Sequence, residues 1–318
     1  MANAICLGEL LIDFVPTVTG TGLTDAPAFI KAPGGAPGNV AVGLARLGVK
    51  SAFMGKVGDD AFGHFLADTL AEAGVDVSPL RFSSEARTAL AFVSLRSDGE
   101  REFMFYRHPS ADMLFTPREV DMDAISRAKL LHFGSISLIG EPSRSATLYA
   151  VDAARAAGGL VSYDPNLRLP LWPDADAARK GLLLGLSKAH IVKLSDDESE
   201  FLTGLSDLKA ACQSLWHEDL KLMVVTRGRA GCVYFTPSFT GMVESFTVEA
   251  VDATGAGDGF VAGLLQGLLA DPSVVQDEAR LRELCRFANA VGALATTERG
   301  AIPALPDRER VREFLCAQ

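Results

Sequence analysis

The chain lacks any run of about eighteen apolar residues, so its sequence gives no membrane-spanning helix. Its opening stretch, MANAICLGELLIDF, lacks a basic n-region, and Glu9 and Asp13 interrupt the apolar run, so no secretory leader is expected. Paired cysteine motifs are missing too. Cys6, Cys212, Cys232, Cys285 and Cys316 are odd in number, scattered and without a C-x-x-C pair, which fits a reduced, cytoplasmic protein. Positive charge is in deficit: 30 Lys and Arg stand against 40 Asp and Glu, for a formal net charge of -10. That balance argues against nucleic acid or an anionic membrane as partner, because both call for a basic patch. A phosphorylated ligand would have to be met by locally placed Lys, Arg or helix amides.

Several chemical signatures are also absent. No loop has the Walker form G-x-x-x-x-G-K-[ST], so nucleotide phosphates would be held by another device. The first apolar stretch is not followed by G-x-G-x-x-G with an acid about twenty residues on, which tells against a nicotinamide-dependent oxidoreductase. There is no G-x-S-x-G elbow and no catalytic cysteine setting. His64, His108, His132, His190 and His217 show no metal-ligand spacing.

What is present is a glycine-punctuated α/β pattern. With 318 residues, 48% hydrophobic and 22% charged, the composition is that of a soluble globular enzyme, either one large α/β domain or two ordinary ones. AICLGELLIDF reads as a first strand, and PGNVAVGLARLG as a helix stopped by Gly48. SAFMGKVG reads as a second core strand, followed by the helix DAFGHFLADTLAEAG with Phe62, Phe65, Leu66 and Leu70 at helical spacing. KLLHFGS, GLVSYD, HIVKLS and LMVVTRG are short apolar strands, each followed by a polar or glycine turn and mostly by a helix. This alternation predicts a mostly parallel, Rossmann-like sheet with crossover helices on both faces. Residues 12–34 and 86–108 break it with period-two strands and no helix. In the second of these, TALAFVSL and REFMFYRH flank SDGE, a hairpin signal at Asp98-Gly99. The two segments are expected to form a small β lid over a core of residues 1–11, 35–85 and 109–318.

The stretch VDATGAGDGFVAGLL, residues 251–265, sets Asp258 at the start of an almost wholly apolar helix, after SFTVEAV, which alternates like a strand. The first amides of a helix have no partners within it. Gly255, Ala256 and Gly257 carry almost no side chain, so an anion could approach those amides and the positive helix end closely. On this pattern Asp258 is either a plain N-terminal cap or an acid that accepts a proton beside the anion hole. Gly259, Gly263 and Gly267 leave a smooth face for close helix packing.

Other stretches carry two readings each. In KAPGGAPGNVAVGLARLG, residues 31–48, Gly34 and Gly35 allow tight turns, and Asn39 is either a helix cap or a ligand for a hydroxyl. SYDPNLRLPLW, residues 162–172, is either a proline-built surface turn or a ligand edge whose Arg168 clamps a phosphate. In KLSDDESEFLTG, Ser195 and Glu198 have capping-box spacing; the rival role for Glu198 is to hold a hydrated Mg²⁺, with Lys193 adding charge. VVTRGRAGC is a simple hairpin or a platform for a nucleotide over Thr226, Gly228 and Gly231.

Taken in order, these stretches resemble the ribokinase-like (PfkB) carbohydrate kinases over nearly the full length, and within them the fructokinases. GGAPGNVAVGLARLG and DATGAGDGFVAGLL are similar to the family's two signatures, and FYRHPSADMLF, DPNLRLPLW and VTRGRAGC to the fructokinase branch. The resemblance implies ATP-dependent phosphorylation of a sugar hydroxyl, D-fructose at O6, with Asp258 as base and the amides of Gly255, Ala256 and Gly257 stabilising charge on the transferring group. It further implies that Asp13, Gly34, Gly35 and Asn39 bind sugar hydroxyls, with Phe105 and Arg107 closing over the substrate. Arg168 and Lys193 would contact phosphate or sugar. Thr226, Gly228, Gly231 and Asn289 would surround the nucleotide, and Glu198 would act on Mg²⁺ indirectly. In the family's magnesium-linked motif an Asn is common where this chain has Lys193 or Ser195. A K⁺ ion bound by backbone carbonyls would map to Asp252, Thr254, Ala295, Glu298, Gly300 and Ala304. Lid strands expose a sheet edge, so a homodimer paired through the lids is expected.

The same residues admit a 2-keto-3-deoxygluconate kinase or a ribokinase of this family. A carboxylate-bearing sugar would call for added lid cations or tyrosines, whereas REFMFYRH offers Phe103, Phe105 and Arg107, which favours a neutral sugar. A sugar-binding protein without turnover is the remaining alternative, and the intact GAGD stretch tells against it.

Overall fold

The computed structural model describes residues 2–18, 20–95 and 101–318. In chain order, β1 (Ala4–Leu7) leads into β2 (Leu11–Pro16) and β3 (Phe29–Gly34), then α1 (Ala36–Arg46), β4 (Ser51–Gly58), α2 (Ala61–Glu72) and β5 (Leu80–Ser83). β6 (Ala89–Leu95) and β7 (Arg101–Tyr106) follow, then α3 (Met122–Arg127), β8 (Leu130–Phe133), α4 (Ser143–Ala156), β9 (Leu160–Tyr163) and α5 (Ala175–Leu186). The last third holds β10 (Ile191–Ser195), α6 (Asp196–Thr203), α7 (Leu208–Leu215), β11 (Leu222–Thr226), β12 (Cys232–Phe235), β13 (Thr240–Val243), α8 (Ala256–Ala270), α9 (Glu278–Leu294), α10 (Ala301–Ala304) and α11 (Arg308–Cys316).

Nine strands form one sheet in the order β13-β12-β11-β10-β9-β8-β1-β4-β5, and four form a second, β3-β2-β6-β7. Ladders in the large sheet are parallel from β5 to β11, and the β11–β12 and β12–β13 ladders are antiparallel, so β12 runs against the other strands. The expected mostly parallel sheet is therefore present. Its strands are apolar throughout because both faces are covered. In β1, Ala4 and Cys6 belong to one core cluster and Ile5 and Leu7 to the other, on opposite sides of the sheet.

Two expected elements differ from the structure. AICLGELLIDF is not one strand: Leu7 pairs with Met54 and Phe133 in the large sheet, whereas Leu11 pairs with Gly34 and Ala89 in the small one. The chain changes sheet at Gly8-Glu9-Leu10, and the uninterrupted apolar character arises because both halves are buried in different cores. SFTVEAV forms no strand. Its neighbourhood takes hydrogen bonds from side chain and turn instead of a ladder: Asn289 donates to the carbonyls of Val243 and Glu244, and the amides of Val251 and Asp252 donate to Thr296. Asp258 thus follows a loop, not a strand. The SDGE turn expected between β6 and β7 lies outside the described residues, which bring Leu95 opposite Arg101.

Helix packing places the ends that matter. In α1, a Cβ on Gly43 would sit 2.6 Å from the Cβ of Ala262 in α8, so the two helices meet almost backbone to backbone. On α8, Cβ atoms at Gly263 and Gly267 would press on Ala288 and Leu284 of α9, the close packing anticipated for that glycine series. No helix among the described residues is long and apolar enough to cross a membrane.

Candidate active site

Asn39 and Asp258 each lie one turn before the Gly43–Ala262 contact, so the crossing of α1 and α8 brings them together. The Asn39 carboxamide donates to Asp258 Oδ2 at 2.7 Å, and both side chains are buried. Burial pushes the Asp258 carboxyl up to about 6; the Asn39 hydrogen bond opposes this, the charge of Asp164 adds to it, and Lys193 and Arg168 oppose it. A carboxylate in this range is ionised at neutral pH yet holds a proton far better than an exposed aspartate.

Around Asp258 the first turn of α8 leaves backbone amides open. Gly255 caps α8 at φ 80°, a left-handed conformation natural to glycine. The amide of Ala256 bonds the Ala253 carbonyl at 3.3 Å, whereas the amides of Gly257 and Asp258 have no backbone acceptor among the described residues. Of the three amides expected to form the anion hole, that of Ala256 is thus partly engaged, and the amide of Asp258 itself is added. A Cβ on Gly257 would lie 3.3 Å from Lys193 Nζ, so an ammonium stands against this same turn.

Lys193 comes from β10 and Asp164 from the end of β9, neighbouring parallel strands. Lys193 Nζ lies 3.2 and 3.1 Å from the two carboxylate oxygens of Asp164, both residues buried. Burial pulls the lysine pKa down, but Asp164 and Glu198 outweigh it and leave it raised, so the amine stays charged. Arg168, half-buried, lies 6.0 Å from the ring of Phe103 in the small sheet. Glu198 completes the capping box: Oε2 accepts from the Ser195 amide at 2.8 Å, while Ser195 Oγ accepts from the Glu198 amide. Its Oε1 accepts from the Leu167 amide at 2.7 Å, so each carboxylate oxygen holds one backbone amide. Among the described residues no group of three or more His, Cys, Asp and Glu side chains is assembled as a metal site.

The small sheet contributes Asp13. Its carboxylate lies over Gly34, where a Cβ would come within 2.2 Å of Oδ2, so only glycine fits there. Burial pushes the Asp13 carboxyl up to about 7, with Arg168 opposing and Asp258 and Asp252 adding, which sets it among the residues around Asp258. Phe105 packs with Leu11, Ala89 and Ala91 and stacks on Phe103, its ring centroid 5.9 Å away. Arg107 pairs through its guanidinium with Asp112 at 2.6 Å in a buried ion pair. Glu9, in the connection between β1 and β2, accepts from the Ala36 amide at 3.2 Å, and burial pushes its carboxyl up to about 7.

On the far side of β11, Thr226 ends the strand with its hydroxyl donating to Leu194, and Gly228 and Gly231 form the turn to β12. Asn289, expected to face a nucleotide, uses its carboxamide donors on the Val243 and Glu244 carbonyls and so fixes the loop leaving β13. Asp252 ties two loops together, accepting from Thr254 through Oδ1 and from the Gly300 amide through Oδ2. Ala295 and Ala304 are buried beside these loops, while the Glu298 side chain pairs at the surface with Arg310.

Residues 1–308 match the model of the pfkB family carbohydrate kinases. The chain belongs to this family. The probable fructokinase-4 of Arabidopsis thaliana is 58% identical over 312 residues, covering 98% of this chain and 96% of that protein. Among solved structures, the fructokinase of Xylella fastidiosa with bound ATP superposes with a TM-score of 0.92 at 38% identity, covering 100% of this chain and 99% of the other. A Vibrio cholerae O395 fructokinase carrying fructose, ADP and a potassium ion superposes with a TM-score of 0.88 at 35% identity, covering 99% and 98%. The fold is the ribokinase-like α/β arrangement expected from the sequence, a large mostly parallel sheet with a small separate one.

Within this pfkB kinase, the motifs selected Asp258, Asn39, Lys193 and Arg168 and the family resemblance added Asp13, and the structure gathers them. It missed Asp164 as the partner of Lys193, Phe103 as the neighbour of Arg168, and Glu9 at the base of α1. Asp164 stood in a quoted stretch, and the available signal was an acid and a lysine at the same end of consecutive strands.

Proposed function

We propose that this carbohydrate kinase transfers the γ-phosphoryl group of ATP to O6 of D-fructose, with Asp258 as catalytic base. The observation that carries the reading is a buried carboxyl with its pKa near 6, placed beside the open amides of Gly257 and Asp258 and the Lys193 ammonium. Asp258 takes the proton of the 6-hydroxyl as its oxygen bonds to phosphorus and the bond to the ADP oxygen breaks. The α8 amides and Lys193 balance charge on the transferring group. When bound, Mg²⁺ would supply charge neutralisation at the nucleotide phosphates, and Glu198 would reach it through water. Asp13, Gly34, Gly35 and Asn39 receive the sugar; Thr226, Gly228 and Gly231 underlie the nucleotide, with Asn289 shaping the wall beside it.

K⁺ would sit in the carbonyls of Asp252, Thr254, Ala295, Glu298, Gly300 and Ala304, and the loops that Asp252 ties together suit it. The small sheet, within residues 12–34 and 86–108, acts as a lid over the core of 1–11, 35–85 and 109–318. Its Arg107 is committed to Asp112, which favours a neutral sugar over a carboxylate-bearing one. Exposed Ile30, Met104 and Tyr106 on the lid support pairing with a second copy, so a dimeric mass in solution is expected and a monomeric one would refute the pairing. The scattered cysteines, four of them buried, support a reducing, cytoplasmic setting.

The test is ADP release with Mg²⁺ and ATP across fructose, ribose, glucose, tagatose and 2-keto-3-deoxygluconate. Fructose should give the highest kcat/KM. A higher value for another sugar would replace fructose, and no sugar-dependent release would sink the kinase reading.

A further inference from the structure

We propose that Asp164 is a positioning residue of the phosphoryl-transfer site: its carboxylate holds the Lys193 ammonium against the open amides of α8 and keeps that ammonium off Asp258. The proposal rests on the reading of Lys193 and Asp258 given above.

The register of the sheet sets up the pair. β9 and β10 align Ile191 with Ser162 and Val192 with Tyr163, so the next residues along, Lys193 and Asp164, emerge side by side at the carboxyl edge. Contact is to both oxygens, at 3.2 and 3.1 Å, with the two side chains 10% and 4% exposed. Asp164 Oδ1 also accepts from the Asn166 amide at 3.2 Å, which fixes the carboxylate from the opposite side. The far end of the lysine therefore has one defined place, and that place adjoins Gly257.

Energetics point to a use beyond folding. A buried ion pair gives up the hydration of both charges, and its replacement by apolar groups is commonly neutral or stabilising, so stability alone does not call for this pair. Its local effect is clearer. Lys193 and Arg168 both act on Asp258 as attracting charges, and Asp164 acts as a repelling one. Without Asp164 the ammonium would have Asp258 as its neighbouring carboxylate, and an Asp258–Lys193 pair would leave a poor base and an obstructed amide pocket. With Asp164 present, Asn39 is the one side chain among the described residues that holds Asp258 by a hydrogen bond, at 2.7 Å. The groups facing Asp258 are then Asn39 from α1, Asp164 from β9, Lys193 from β10, Arg168 beyond β9, and Asp13 from the small sheet.

The experiment compares the full-length parent with Asp164→Asn, Lys193→Met and the double variant, measuring kcat, both KM values, the Mg²⁺ requirement, the pH profile of kcat/KM and thermal melts. Expected is a loss of about a hundredfold in kcat for Lys193→Met and about tenfold for Asp164→Asn, the double variant being no worse than Lys193→Met within about threefold. The acid limb of Asp164→Asn should move to lower pH, since a repelling charge on the base is gone. Asp164→Asn leaves a buried ammonium without its counter-charge and is expected to melt earlier; the double variant removes both charges and should regain stability without regaining turnover. Parent-like kcat and acid limb in Asp164→Asn, or losses that multiply in full, would overturn the proposal alone. So would a raised Mg²⁺ requirement with an unmoved acid limb, which would make Asp164 a servant of the metal. Parent-like turnover in Lys193→Met would remove the underlying reading, and the proposal with it.

Discussion

Asn39 and Asp258 are 219 residues apart in the chain and 2.7 Å apart in the fold, one donating its carboxamide to the other across the crossing of α1 and α8. The bond uses one carboxylate oxygen, Oδ2; in the proposed reaction the other is the one that meets the sugar hydroxyl. The Asn39 carbonyl oxygen is buried without a hydrogen-bond partner among the described residues, so it too awaits a donor. A bound hydroxyl would supply that donor.

The pH dependence follows from this arrangement. Asp258 must be ionised to accept a proton, and its carboxyl is raised to about 6, with Asp13 raised to about 7. A plot of log kcat/KM for fructose against pH should therefore rise from about pH 5 and level off above about pH 7. Asn39→Ala removes the donor that favours the ionised form, so its acid limb should move to higher pH. A flat parent profile down to about pH 5 would contradict the assignment of the base.

Stability should move against activity at the same residue. Asp258 binds its proton more tightly folded, at about 6, than unfolded, at 3.8, so between those values the folded state carries more protons and stability falls as pH rises. The ionised carboxyl is thus a cost at neutral pH. Asp258→Asn removes it while keeping an oxygen for the Asn39 bond, and should stabilise the free protein by about 1–3 kcal/mol. Melts near pH 7.5 should show the variant unfolding later, with the gap narrowing near pH 5. An equal or earlier transition at both would show that this carboxyl is not destabilising.

Gly257 offers a separation of binding from folding. A Cβ there meets, among the described residues, the end of the Lys193 side chain, at 3.3 and 3.9 Å, and no backbone, so Gly257→Ala should fold normally. It would displace the ammonium from the open amides, and kcat should drop about tenfold or more with melting little changed. Unaltered kinetics would place the transferring group away from this turn.

Much of the molecule was legible in the sequence where the signal is local. β4 matches SAFMGKVG residue for residue, and the Ser195–Glu198 capping box forms as its spacing implied. Legibility ended where a pattern had two causes. The apolar run through β1 and β2 looked continuous because both halves are buried, though in different sheets. SFTVEAV alternates like a strand, yet that part of the chain accepts from Asn289 at one end and donates to the Thr296 carbonyl at the other, and no ladder forms. The site divides in the same way. Asp258 and Asn39 were separately marked by glycine-rich helix starts, but their bond depends on Gly43 meeting Ala262, a contact between distant segments. Arg107 looked available because its ion pair with Asp112, five residues on in the same quoted stretch, leaves no mark in the sequence pattern.

The central claim is that the carboxylate of Asp258 removes the proton from the attacking sugar hydroxyl. It is tested most directly by turnover of Asp258→Asn with fructose and Mg²⁺-ATP, alongside fructose affinity measured calorimetrically on the same variant. The account predicts kcat lowered by about a hundredfold or more with fructose affinity within about threefold of the parent. Parent-like kcat in a folded variant would contradict it.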